Sequence, residues 1–247
     1  MLEVVQTYPV VIPAAGIGSR MQAKIAKQYL KIGEHAVLEH TLNSFIEHPK
    51  ISDIIIALHP DDNIFDTLSV SKHPKITVVL GGNERVDSVK NALDLLNKQL
   101  KYNESFVLVH DAARPCLTRL ELDTLILECE LAYKQKHIMG GILANPVTDT
   151  IKKGCTIVST SAQKKSFNTI THTVDRRDLW QAQTPQMFKL IPLIEAIDSG
   201  LKKGVIMTDE ASAMEAANHQ VIMVEGQSSN IKVTRPNDLK LASFYLD

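Results

Sequence analysis

The loop that follows the first apolar run of the chain carries the residues of an anion-binding site. Residues 13–21 read Pro-Ala-Ala-Gly-Ile-Gly-Ser-Arg-Met, and Gly16 and Gly18 allow the backbone to approach a ligand closely. Arg20 and Lys27 add positive charge to this loop. Exposed backbone amides combined with cations bind phosphate groups. Because the spacing matches neither the P-loop nor the dinucleotide fingerprint, the residues predict another type of phosphate site, with an ordinary strand-to-helix turn as the alternative.

Two further segments combine small residues with polar groups. The pair Gly81-Gly82 precedes a helical pattern, where backbone groups can recognise a nucleobase edge and Ser88 adds a hydroxyl group. A plain turn with a helix cap explains the same residues. Asp111 ends an apolar run and lies close to Arg114 in the sequence. Its carboxylate suits a Mg²⁺ ion or a ribose, and the alternative is a structural ion pair between these two side chains.

Three later segments contain charged or hydroxyl groups with two interpretations each. Residues 173–178 include Arg176, which suits a bidentate phosphate contact, although such runs are usually solvated charge clusters. Thr208 and Asp209 resemble a helix N-terminus in which Thr208 is the cap, and capping alone explains them. Lys232 has apolar neighbours and is predicted to lie in a short strand, where it would contact a phosphate or point to solvent.

The composition limits the classes of function. The 247 residues suit one large α/β domain or two small ones, and a net charge of −1 gives no indication of nucleic-acid binding. We expect no signal peptide and no membrane span. Three widely separated cysteines are expected to be free thiols in a reducing compartment, so we expect a cytoplasmic location. The histidines form no metal motif, and no nucleophile and base pair of the hydrolase type is present.

Apolar runs that alternate with helical patterns predict a doubly wound, mostly parallel sheet. The predicted strands are residues 10–12, 54–58, 76–80, 106–110, 140–144 and 221–224, and the predicted helices are 37–46, 86–100, 120–134, 191–199, 209–217 and one that begins near 236. We expect Thr118 to cap the helix that begins at residue 120. In such sheets ligands bind outside the carboxyl ends of the strands, which is where the first loop and residues 110–115 lie.

Residues 146–173 are polar and lack the apolar run of a core element. Their short alternating stretches predict an extended β-arm that projects from the domain. Because so polar an arm is not expected to be stable alone, we expect it to pack against a second subunit. A flexible loop is the alternative interpretation.

Seven segments, in this order, resemble the 2-C-methyl-D-erythritol 4-phosphate cytidylyltransferase family of the non-mevalonate isoprenoid pathway. They are Pro13-Ala14-Ala15-Gly16-Ile17-Gly18-Ser19-Arg20-Met21, Lys27-Gln28-Tyr29, Gly81-Gly82 with Glu84-Arg85 and Asp87-Ser88, and residues 110–115, 173–176, 208–212 and 230–236. The resemblance covers nearly the whole chain. It implies a single Rossmann-like nucleotidyltransferase domain over residues 1–247, with a β-arm at 146–178 that crosses to the neighbouring subunit of a homodimer.

The resemblance also implies an activity and the residues that carry it. The substrates would be CTP and 2-C-methyl-D-erythritol 4-phosphate, with Mg²⁺ as cofactor, in-line attack on the α-phosphate, and 4-CDP-2-C-methyl-D-erythritol and pyrophosphate as products. The implied catalytic residues are Arg20, Lys27 and Lys232. The implied CTP-binding residues are Ala14, Ala15, Gly16, Gly18, Gly82, Ser88, Asp111 and Ala112. The implied residues for the methylerythritol phosphate are Thr150, Arg176, Arg114, Thr184, Thr208 and Asp209. Mg²⁺ would be held through the phosphates, with Asp111 as a candidate protein ligand.

Two departures from the family pattern and two alternatives remain at this point. Ala26 stands where the family commonly has proline before its lysine, and the segment from Thr150 to Thr173 looks longer than expected. A cytidylyltransferase for ribitol phosphate or another sugar or polyol phosphate would share the nucleotide site. A nucleotide-binding regulator without turnover is the alternative from another class.

Overall fold

The computed structural model describes residues 6–16, 25–158 and 165–246. Its strands are β1 (Tyr8–Pro13), β2 (Lys31–Ile32), β3 (His35–Ala36), β4 (Ile51–Leu58), β5 (Ile76–Leu80), β6 (Phe106–Val109), β7 (Gly140–Pro146), β8 (Ile151–Val158), β9 (Ser166–Val174), β10 (Trp180–Lys189) and β11 (Ile222–Glu225). Its α-helices are α1 (Val37–Ile46), α2 (Arg85–Asn97), α3 (Arg119–Lys136), α4 (Leu190–Lys203), α5 (Glu210–Ala216) and α6 (Pro236–Leu246).

The centre of the molecule is a seven-stranded sheet in the order β11-β7-β10-β6-β1-β4-β5. Neighbouring strands are parallel except at β10, which runs antiparallel to both β6 and β7. Successive residues of β1 face opposite sides, so that Val10 and Ile12 pack with α1 and α3, whereas Val11 packs with α2, α4 and α5. Apolar burial on both faces accounts for the continuous apolar runs, and the predicted doubly wound sheet is confirmed.

Strand β10 was not predicted, because its sequence has no apolar pattern. Gln183, Thr184 and Gln186 are buried in it, and each bonds to a neighbouring loop or to the start of α5. The register of β10 against β7 shifts between Ala182 and Gln186. Polar side chains therefore face the interior here with hydrogen bonds to distant segments, and hydrophobic periodicity does not detect such bonds.

Two other local predictions need correction, and one is confirmed. Lys232 lies in an extended segment outside any strand, because the neighbouring Val233 forms a single backbone bond to Ala113 rather than a ladder. The N-cap of α5 is Asp209 and not Thr208, since the Asp209 carboxylate accepts the amide hydrogen of Ser212. Thr118 caps α3 as predicted.

Strands β8 and β9 form a separate two-stranded antiparallel sheet, which is the predicted β-arm. It leaves the central sheet after β7 and returns to it as β10. Large apolar side chains on the arm stay exposed, including Phe167 at 47% and Ile170 at 68%. Within residues 6–16, 25–158 and 165–246, no helix has both the length and the apolar character needed to span a membrane.

Candidate functional site

A cavity of about 500 Å³ opens at the carboxyl ends of β1 and β6, beside the N-terminus of α2. It lies where the topology of an α/β sheet places ligands. The described residues that line it are Pro13, Ala14, Ala15, Gly16, Lys27, Gln28, Gly82, Asn83, Glu84, Arg85, Ser88, Asp111, Ala112, Ala113, Lys232 and Thr234.

The loop after β1 is fixed in position by hydrogen bonds from a buried side chain. The amide of Gln28 donates hydrogen bonds to the carbonyl oxygens of Ala14, at 2.8 Å, and Gly16, at 3.3 Å. The amide of Ala14 continues the sheet with a bond to Ala57. Gln28 belongs to the short 3₁₀ turn that also carries Lys27. The loop and the Lys27 backbone are therefore positioned by the same element.

The Gly81-Gly82 turn lies directly against the first loop. A Cβ atom at Gly81 would lie 2.3 Å from the Ala15 Cβ, and one at Gly82 would lie 2.2 Å from the Asp87 Cβ. Both positions therefore need glycine for close approach. The Ser88 hydroxyl accepts the amide hydrogen of Gly82 at 3.0 Å. Ser88 thus fixes this turn at the wall of the cavity.

Asp111 is the electrostatic centre of the cavity. Its Oδ2 lies 2.7 Å from the Lys232 Nζ and 3.7 Å from the Arg114 Nε, and its Oδ1 lies 3.1 Å from the Arg85 Nε. Burial raises the pKa of this carboxyl, but Arg85, Lys232 and Arg114 outweigh burial and hold the pKa well below its usual range. Asp111 is therefore ionised, and Arg85 and Lys232 from distant parts of the chain converge on it together with the nearby Arg114.

Arg85 connects Asp111 to a second buried carboxylate. Its two terminal nitrogens donate to both oxygens of Glu210, at 2.6 and 3.0 Å. Burial lowers the pKa of Arg85, but Glu210 and then Asp111 outweigh it, so that the pKa lies above its ordinary value. The guanidinium thus bridges the loop after β6 and the start of α5 from the first position of α2.

A neutral histidine supports the Asp111 loop from behind. His110 is fully buried, and its Nε2 lies 3.1 Å from the Arg114 carbonyl oxygen, so this nitrogen is assigned the proton and donates it. The Thr184 hydroxyl donates to His110 Nδ1 and accepts the amide hydrogen of Asp111, both at 3.1 Å. Burial lowers the pKa of His110 to about 4.

This burial predicts a pH dependence of stability. The unfolded chain binds a proton at His110 near its ordinary pKa of 6.5, whereas the folded chain does so only near pH 4. The stability that the neutral His110 contributes to the folded chain is complete above pH 6.5 and falls as the pH decreases towards 4. From pH 7 to pH 5, His110 should lower the free energy of unfolding by about 2 kcal/mol.

Urea unfolding at pH 7 and pH 5 tests this effect in the original chain and in His110→Gln. The variant should be less stable at pH 7 but lose less stability on acidification. Equal losses in the two proteins would contradict the assigned burial of a neutral histidine.

A second cavity, of about 560 Å³, shares Lys232 with the first and is also lined by Arg114. Three buried polar atoms of its lining residues have no hydrogen-bond partner within the described part of the chain: Arg114 Nε, Gln183 Oε1 and Asn230 Oδ1. Arg114 Nε faces Asp111 Oδ2 across 3.7 Å, so the two acceptor oxygens remain, and they suit the hydroxyl groups of a ligand.

A family model described as 2-C-methyl-D-erythritol 4-phosphate cytidylyltransferase matches residues 8–247. The chain belongs to this family. The cytidylyltransferase of Tolumonas auensis is 47% identical over 241 residues, which cover 98% of this chain and 97% of that protein. The corresponding protein of Vibrio vulnificus is 48% identical over 236 residues, covering 96% of this chain and 93% of that protein. The crystal structure of the Francisella tularensis enzyme superposes with a TM-score of 0.79 at 33% identity. The match covers 97% of this chain and 100% of that one.

In this member of the cytidylyltransferase family, the cavity brings together most of the sequence-predicted nucleotide and catalytic residues. These are Ala14, Ala15, Gly16, Lys27, Gly82, Ser88, Asp111, Ala112 and Lys232. Gly18 and Arg20 lie outside the described residues. Their predicted roles therefore stay predictions.

The sequence-predicted acceptor residues are more dispersed. Arg114 lies at the second cavity, and Thr184 is buried behind Asp111. Thr208 and Asp209 line a small cleft beside Arg85, outside the main cavity. Thr150 and Arg176 flank the arm and line neither of the two large cavities.

Sequence reasoning assigned no role to Arg85, Glu210 and Gln28 of this cytidylyltransferase family member. Arg85 occurs in the motif after Gly81-Gly82, but its partner Glu210 lies far along the chain. Sequence spacing therefore gave no sign of this ion pair. A buried glutamine such as Gln28 shows its role only through the two carbonyl oxygens that it reaches.

Proposed function

We propose that this protein transfers the cytidylyl group of CTP to 2-C-methyl-D-erythritol 4-phosphate and releases pyrophosphate. Family membership and the names of relatives with 47% and 48% identity support this activity. The structural observation that carries it is the cavity of about 500 Å³, in which Lys27, Lys232 and Arg85 surround the end of a doubly wound sheet. The first loop and the Gly81-Gly82 turn give this cavity backbone groups for a nucleotide.

The chemistry requires positive charge more than it requires a base. A phosphate monoester oxygen attacks the α-phosphorus of CTP while pyrophosphate leaves in line, and both reactants are anions. The barrier therefore depends on positioning and on charge stabilisation at the transferred group. Lys27 and Lys232 come from near opposite ends of the sequence, and both line the cavity. We propose Arg20 as a third cation. Because the attacking phosphate is already ionised, no general base is needed.

The lining residues suggest how CTP would lie in the cavity. We place the triphosphate at Ala14, Ala15 and Gly16, with Gly18 as a further proposed contact. The cytosine would lie at the turn that Ser88 fixes to Gly82. The ribose would lie beside Asp111 and Ala112.

The residues fit a Mg²⁺ ion that is held mainly by the nucleotide. In the described ranges of the chain, no group of three or more histidine, cysteine or acidic side chains is placed to hold a metal ion. Both oxygens of Asp111 face cations, so this carboxylate suits at most one position in the coordination sphere. Mg²⁺ prefers phosphate oxygens and waters for the remaining positions. When bound, Mg²⁺ would neutralise charge on the triphosphate.

The second cavity supports an acceptor site next to the nucleotide. Lys232 lines both cavities and Arg114 lines the second, so an acceptor phosphate between these two side chains would lie near the transferred group. The unpartnered oxygens of Gln183 and Asn230 suit hydroxyl groups of a polyol. We also propose Thr184, Thr208 and Asp209 as acceptor contacts, and Thr150 and Arg176 as contacts supplied from the arm.

We propose that the arm pairs two copies of the chain in a homodimer. Its exposed apolar side chains, among them Ile157, Phe167 and Ile170, support burial against another surface. A monomer mass in sedimentation equilibrium would overturn this proposal. We further propose a cytoplasmic location, which the three free cysteines support.

A panel of acceptors tests the proposed function. Pyrophosphate release is measured with CTP, Mg²⁺ and, in turn, 2-C-methyl-D-erythritol 4-phosphate, ribitol phosphate and water alone. We expect release with the methylerythritol phosphate and little with the other two. Preference for ribitol phosphate would reassign the acceptor, and CTP binding without release from any acceptor would indicate a regulator.

A further inference from the structure

Arg85 is a partly buried connection between two carboxylates that none of the roles above explains. It lies at the first helical position after the Gly81-Gly82 turn, and its guanidinium contacts two carboxylates at once. One of these is Asp111 at the cavity wall, and the other is Glu210, which is only 3% exposed. Burying a pair of this kind costs desolvation energy and is weak evidence for a purely stabilising role.

The Glu210 end of the connection is a fixed anchor outside the cavity. Glu210 is the first residue of α5, and the start of that helix is held by Gln186 of β10. The Gln186 side chain accepts the amide hydrogen of Ala211 at 2.9 Å and donates to Asp209 at 2.8 Å. Arg85 therefore links the hydrogen-bonded start of α5 to the cavity wall.

The Asp111 end of the connection is shared with Lys232. Arg85 holds Oδ1, whereas the Lys232 amine contacts Oδ2 at 2.7 Å. A single carboxylate thus divides its charge between two strong partners, with Arg114 further away at 3.7 Å. If Arg85 were absent, Oδ1 would lose its partner and the carboxylate would attract Lys232 more strongly, so the amine would be less available to a phosphate.

We infer that Arg85 is a positioning residue for the transfer: anchored by Glu210, it holds Asp111 so that the Lys232 amine faces the transferred phosphate. This inference rests on the proposed function. It requires the forked guanidinium, because a lysine amine is a point charge that cannot grip two carboxylates in fixed directions. Arg85 itself need not touch the reacting atoms.

A double-mutant cycle between Arg85 and Lys232 tests the inference. Arg85→Gln should lower kcat about 10- to 100-fold, with a smaller change in the KM for CTP. In a Lys232→Gln background, the same change should lower kcat less than about threefold, because the group that Arg85 positions is already absent. Arg85→Lys should stay close to Arg85→Gln. Equal losses in both backgrounds, or full rescue by lysine, would overturn the inference.

Two further measurements separate positioning from folding and from the proposed function. Arg119→Gln removes an exposed arginine paired with Asp123, and it should leave kcat unchanged. Thermal unfolding of each variant reports lost stability directly. If the original chain releases no pyrophosphate, the proposed function fails, and calorimetric CTP affinities of the same four proteins still decide the inference: additive affinity losses at positions 85 and 232 would overturn it.

Discussion

Replacing Lys27 with glutamine is expected to lower kcat by about two to three orders of magnitude, as removal of a charge contact to a transition state typically does. Lys27 lies in the 3₁₀ turn that Gln28 fixes to the first loop, so its backbone position should survive the change. The residue lines the cavity. Steady-state pyrophosphate release at saturating CTP and acceptor gives kcat.

The control for this change is Lys31→Gln, an exposed lysine in β2 that does not line the cavity. It removes the same charge from a neighbouring segment and should retain full turnover. Lys27→Arg keeps the charge in a larger group and should recover part of the loss. If Lys27→Gln turns over like the original chain, Lys27 does not stabilise the transferred phosphate.

Replacing Lys232 with glutamine is the second change with a large expected effect. We expect kcat to fall by about two orders of magnitude, because the proposed role of Lys232 is to supply positive charge at the transferred phosphate. The fold should survive, since Asp111 keeps Arg85 and Arg114 as partners and is not left as an unpaired buried charge. Rapid-quench measurement of a single turnover separates the chemical step from product release.

The matched control is Lys240→Gln in α6, an exposed position that lines neither large cavity. Its turnover and its melting temperature should match those of the original chain. A Lys232→Gln protein whose single-turnover rate is normal, but whose melting temperature is low, would show that Lys232 serves the fold and not the reaction.

Much of the fold follows from apolar patterning. The strands of the parallel part are buried on both faces, so their runs are continuous and easily found, as at Ile54–Ile56 in β4. Helices α1 and α3 have apolar stripes, and Thr118 marks the start of α3 correctly. These patterns depend on residues that are close together in the sequence, so the sequence alone is enough to detect them.

What the sequence missed depends on partners that are distant along the chain. Strand β10 buries Gln183 and Gln186, whose amides bond to segments that follow them by many residues. Lys232 was predicted in a strand because its neighbours are apolar, yet Val233 makes only one backbone bond to the Asp111 loop. Hydrogen-bond satisfaction across a fold decides these cases, and periodicity does not report it.

The candidate site divides in the same way. Gly82 and Lys27 were found from motifs whose residues are close in sequence, and both line the cavity. The bridge through Arg85 was missed because Glu210 sits on another helix. A motif therefore identifies which residues surround a ligand, but it does not reveal the ion pairs that hold them in place.

The course of β10 links the outer arm mechanically to the interior of the molecule. The chain leaves the arm, pairs along β7, and then carries Thr184 against the amide of Asp111. Movement of the β8–β9 arm would therefore act on β10, which carries the residue that bonds to the Asp111 backbone. If the proposed homodimer forms through the arm, the position of the arm is coupled through β10 to Thr184 and so to the Asp111 loop.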